Sequence, residues 1–151
     1  MLPSKWANYS DFQVTPTCGL ASATNMIGEM DDVRYFAHPD HYEADILWFT
    51  QGYVEYMIPN FIPPAQKIDQ IAISMEICSE APSFNPNWPS DISFYLNDVK
   101  IGSWISPGDF GDVPGTFTPT WWLSSLNQYG LLKFLVINDK GTFIDGKQIS
   151  D

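Results

Sequence analysis

Six residues within one stretch, Ile71 to Asp112, carry side chains suited to holding a small polar molecule: Glu76, Glu80, Trp88, Asp91, Trp104 and Asp109. Indole rings offer flat apolar surface to the C–H face of a sugar ring, and carboxylates accept hydrogen bonds from its hydroxyls. Glu76 and Glu80 share the polar side of one strand with Cys78, so both carboxylates can face one groove. The bland alternative makes the tryptophans packing and the acids solvated loop residues. Trp121 belongs to a second aromatic cluster with Trp122, Tyr129 and Phe117. Neighbours on a strand face opposite ways, so only one of the paired tryptophans can be core. The other extends a ligand cleft, forms a dimer contact or packs under the loop before Leu131.

Other chemistries fit less well. Glycoside hydrolysis needs two carboxylates roughly 5–5.5 Å or 6.5–9.5 Å apart. Glu76 and Glu80 lie four apart on a strand, which separates their backbones by ~13 Å. A hard-ion site could draw on Asp109, Asp112, Glu80 or the pair Asp31-Asp32, but no EF-hand spacing is present. His38 and His41 straddle Pro39-Asp40 at a spacing loosely compatible with shared ligation, but Cys18 and Cys78 lack any paired spacing. That favours buried free thiols and surface loop histidines. No nucleophile elbow, phosphate loop or dinucleotide fingerprint occurs. The expectation is a binding protein with no catalytic residue, metal or cofactor.

The composition narrows the partners. The 151 residues include 18 acidic and 7 basic side chains, a formal net charge of −11. Such a surface repels phosphate backbones and anionic lipid, which argues against direct nucleic-acid contact or membrane association. No apolar run approaches a spanning helix, and no signal-peptide core is evident. Two cysteines are too few for a disulfide scaffold, and a cytoplasmic protein with free thiols is expected.

The elements that must position these residues read as strands. Twelve prolines and ten glycines punctuate the chain into many short pieces, which predicts an all-β, antiparallel β-sandwich. Residues 1–10 read as a leader or linker, and 11–151 as a single domain. Asn97-Asp98 predicts a two-residue type I′ hairpin turn, with Leu96 opposite Val99, Phe94 opposite Ile101 and Ile92 opposite Ser103. That register puts Trp104 on the polar face with Ser93, Tyr95 and Lys100. Ile71 to Ile77 alternates as a third strand of the same sheet, one face of which is wet. Phe12 to Thr15 predicts an edge strand, Cys18 to Met30 a loop or short strand, and Asp31-Asp32 the start of a helical turn. Asp45 to Phe49 predicts a buried strand returned by Tyr53 to Ile58, and Phe117 to Trp122 a short broken strand. Leu131 to Asn138 predicts a central strand, and Asp145-Gly146 a second hairpin turn. The chain stops on a strand, which predicts a truncated boundary or an edge completed by something else.

The segment ISFYLNDVKIGSW resembles the hairpin of galactose-binding-like jelly-roll domains. The blocks DFQVTPTCGLAS, ILWFTQGYVEYMIPN, EICSEAP, NWPSDISFYLNDVKIGSWISPGDFGD and QYGLLK resemble bacterial ArsR-like transcriptional regulators, in which a winged helix precedes a β-sandwich. The likeness runs from about Asp11 to Asp151, although the family turn is usually Asn-Gly where this chain has Asn97-Asp98. It implies the effector domain of such a regulator, with the winged-helix DNA-binding domain as its partner in the full-length protein. No recognition-helix pattern or basic cluster is present in this chain. A carbohydrate-like small molecule is the expected ligand; a homodimer module without a ligand is the alternative.

Overall fold

The computed structural model describes residues 9–150; the expected leader falls largely outside them. Among the described residues there are eleven strands, two short 3-10 turns and no α-helix, so the fold is all-β. The chain packs as two compact units, one of residues 9–60 with 117–126 and one of 61–116 with 127–150.

In the first unit, β1 (Tyr9–Val14) pairs antiparallel with β5 (Gly52–Tyr56). A three-stranded sheet has β2 (Cys18–Ala21) between β3 (Met26–Ile27) and β4 (Ile46–Phe49). The expected β4–β5 hairpin is therefore corrected. Residues 50–52 instead dock onto 13–15, with Thr15 N–H donating to Gln51 O at 2.9 Å and Thr50 N–H to Thr15 O at 3.1 Å. Gly52 permits this because a Cβ there would stand 1.7 Å from the Gln13 carbonyl oxygen. β4 is half-buried along its length rather than buried. The anticipated helical turn is the 3-10 turn Val33–Ala37, capped where Asp32 Oδ1 accepts from Arg34 N–H at 3.0 Å. Tyr9, Val14, Cys18, Leu20, Ile27 and Phe36 form the core, and Tyr9 Oη–H closes it by donating to Phe36 O at 2.6 Å. Residues 117–122 are not a strand. Trp122 N–H turns back to Pro119 O at 3.0 Å, and both Trp121 and Trp122 end half-buried.

In the second unit, β6 (Gln70–Ile77), β9 (Leu131–Asn138), β10 (Gly141–Ile144) and β11 (Lys147–Gln148) form an antiparallel sheet in the order β11-β10-β9-β6. β9 is central, as its apolar run predicts. The two-residue links Asp139-Lys140 and Asp145-Gly146 set the register of β9–β10 and β10–β11. β7 (Ser90–Leu96) and β8 (Val99–Ser106) pair only with each other, so β6 is not the third strand of their sheet. Alternation fixes which face of β6 is apolar, but it does not choose the partner strand; β9 wins with eight paired positions.

The hairpin turn forms as predicted: Asn97 has φ 48° and Asp98 φ 65°, both positive as type I′ requires. Its register holds for Leu96–Val99 and Tyr95–Lys100, then shifts. Ile101 is left over as a bulge, so Phe94 faces Gly102, Ser93 faces Ser103 and Ile92 faces Trp104. The slip moves Trp104 from the expected polar face to the face of Ile92 and Phe94.

Candidate functional site

The candidates disperse. Trp104 is half-buried, and the Lys133 ammonium sits 5.1 Å from its ring centroid while bonding Asp145 at 2.8 Å. Asp91 pairs with Ile105, one position along from the Ile92–Trp104 pair, so it points to the opposite face of the ribbon. Trp88 is 44% exposed in the loop before β7. Glu80 is half-buried just beyond the end of β6. Trp121 belongs to the first unit, where its indole N–H donates to Ala23 O at 3.1 Å. Asp109 has no exposed surface at all.

Glu76 is the candidate the fold places on a hollow. An open depression of about 300 Å³ is lined by Glu76, residues 113–116, Tyr129 and Gly130. Glu76 stands on the outward side of β6, directly across from Leu132 of β9. Its Oε1 accepts from Gly130 N–H at 2.9 Å, which ties the end of β6 to the chain entering β9. Tyr129 forms another wall. Its ring stacks on Phe110 with centroids 5.4 Å apart, and its hydroxyl donates to Asp112 Oδ1 at 3.0 Å. That hydroxyl bond, helped by burial and the Asp112 charge, raises the phenol pKa and keeps it neutral. One carboxylate, one phenol and a stretch of loop backbone can together hold hydroxyl groups.

Asp109 lies behind this wall. Its Oδ2 accepts from Ala81 N–H at 3.0 Å, and its Oδ1 accepts from the Asn127 side-chain amide. Asn127 Nδ2 also faces Cys78 Sγ at 3.2 Å and Tyr129 O at 3.3 Å. Burial raises the Asp109 pKa, and the donors from Asn127, Ala81 and Phe110 oppose that rise. Burial, followed by the nearby Asp109 charge, pushes the Cys78 thiol up to about 12. Asn127 escaped the sequence reading because its partners, Asp109 and Cys78, are remote along the chain. Tyr129 carried a visible signal as an aromatic, but as a neighbour of the paired tryptophans rather than of Glu76.

No family model, curated protein or solved structure matches this chain.

The first unit holds a smaller hollow of about 170 Å³, lined by residues 22, 25–28, 38, 40 and 43. His38 Nδ1 accepts there from Asp40 N–H at 3.2 Å, and His41 Nδ1 lies 2.8 Å from His38 O. Among the described residues no group of three or more His, Cys, Asp or Glu is placed to hold a metal ion, and no helix is long and apolar enough to cross a membrane. Both cysteines are free thiols.

Proposed function

We propose that the Glu76–Tyr129 hollow binds a small hydroxyl-rich molecule, with a carbohydrate as the preferred class. In this reading the chain is the non-catalytic, galactose-binding-like sensing domain of a cytoplasmic ArsR-like transcriptional regulator. The observation that carries it is the meeting of Glu76, Tyr129 and loop backbone around about 300 Å³ of open space. Glu76 is the single carboxylate lining that space, whereas glycoside hydrolysis uses a flanking pair. This supports binding over turnover. Occupancy would bias an attached winged-helix domain to the extent that ligand affinity differs between its states.

A thermal-shift screen against a panel of methyl glycosides and free sugars tests the reading. Saturating ligand at about a hundred times its Kd stabilises a fold by roughly 2.7 kcal/mol, a shift of several degrees. That shift should vanish in Glu76→Gln and in Tyr129→Ala. A panel that never moves Tm would overturn the sugar assignment. Loss of binding in Trp88→Ala, with Glu76→Gln still binding, would move the site to the loop before β7.

A dimerisation module is the second reading. Leu132 and Phe134 are 60% and 51% exposed on the outward side of β9, next to Glu76 and Ser74. A dimer seen by sedimentation and dispersed by Leu132→Lys would favour it.

A further inference from the structure

The hollow has a half-buried wall, Tyr129-Gly130, that depends on a polar pair behind it, Asp109 and Asn127. Three sets of hydrogen bonds converge on that wall. Gln128 N–H and Tyr129 N–H both donate to Phe110 O, at 2.7 Å and 3.2 Å, so the backbone before β9 is laid against the 109–111 segment. Asp109 fixes that segment from below: its carboxylate accepts from Ala81 N–H, and its own N–H donates to Asn85 O at 2.9 Å. Asn127 then joins the two pieces, since one side-chain amide spans the Asp109 carboxylate and the Tyr129 carbonyl. Two amide hydrogens can serve both, and no aliphatic side chain could.

We infer that Asp109 and Asn127 act as a positioning pair, holding Tyr129 and Gly130 in the geometry that the hollow requires. The purpose assigned to the pair rests on the ligand-binding reading above. Its physical content does not, because the wall's order can be measured without any ligand. Asp109 thereby leaves the set of groups that touch a ligand. A buried carboxylate with backbone and amide donors is a fixed anchor for loops, and removing either partner leaves the other with an unmet buried demand.

Site-resolved amide hydrogen exchange on the full chain tests this directly. In Asn127→Ala the Tyr129 and Gly130 amides should exchange about tenfold faster, the effect of losing roughly one hydrogen bond's worth of protection. The Ile73 and Leu135 amides, in the paired middle of β6 and β9, should change by less than about twofold over the same interval. The double variant Asp109→Asn with Asn127→Asp restores a carboxylate–amide pair but removes the donor to Tyr129 O. It should recover the Tm lost in Asp109→Asn alone and still leave Tyr129 and Gly130 fast. Unchanged exchange at these two amides in Asn127→Ala would overturn the inference, and so would equal acceleration throughout β6 and β9. Slow exchange in the double variant would overturn it too, by showing that the tether to Tyr129 is idle. A glycoside panel that fails on the wild type removes the ligand reading and leaves these exchange outcomes intact.

Discussion

Gly102 and Ile149 approach so closely that a Cβ on Gly102 would stand 2.8 Å from the Ile149 side chain. Gly102 also has φ 152°, in the region that favours glycine. It sits just after the Ile101 bulge, opposite Phe94, so one residue serves both the change of register and the contact with the chain's last strand region.

Gly102→Ala should therefore destabilise by about 2–4 kcal/mol, combining left-handed backbone strain with overpacking. Urea unfolding with an unchanged m-value measures it. A loss below roughly 0.5 kcal/mol, the range of an ordinary surface change, would mean that the bulge relaxes without cost.

The same glycine marks where sequence reading stops. Asn97-Asp98 is legible because a type I′ turn is decided by its own two residues. The β9 run is legible because its apolar, β-forming residues mark a strand, although Leu132 and Phe134 on its outward side stay exposed. The bulge is not, since Gly102 looks like any strand glycine until Ile149 is brought against it. Trp104 was misplaced for that reason alone: one extra residue reverses every later side chain. Asp109 misled differently. Its setting, Pro107-Gly108-Asp109, has the composition of an exposed turn, and nothing local announces Ala81 and Asn127 as partners. Glu76 was legible as an outward residue of an alternating strand; the Tyr129 wall beside it was not.

Asp109 also sets a pH dependence. Its carboxyl pKa is raised above the ordinary 3.8, with burial the largest cause. The folded protein thus holds this proton more tightly than the unfolded chain does. The stability contributed by the group is full below the unfolded value and declines as pH rises through the folded one. Asp32 and Asp145 run the other way, held low mainly by hydrogen bonds from Arg34 and Lys133. Their stabilisation is present above the ordinary value and is lost as pH falls through the folded one. The Tm of the wild type minus that of Asp109→Asn should accordingly fall as pH is raised from about 4. A difference that grows with pH would show that the fold favours the ionised form.

Cys78 supplies a check on the same buried cluster from a different atom. Burial first, and the Asp109 charge second, lift its thiol to about 12, against the lowering effect of the Asn127 amide. Only the thiolate attacks a disulfide reagent, so at pH 8 the native thiol should react about a thousandfold more slowly than a free cysteine. Cys18 is wholly buried and should be equally protected by access alone. In denaturant both thiols should titrate at once, giving two equivalents per chain. Asn127→Ala removes the lowering hydrogen bond and the tether to Tyr129 O together, and the two effects pull apart. A slower Cys78 reaction in that variant would reflect the chemical loss, and a faster one the opened wall. The positioning pair requires the faster one, because loosening the segment exposes the sulfur by more than the loss of one weak N–H···S bond deactivates it.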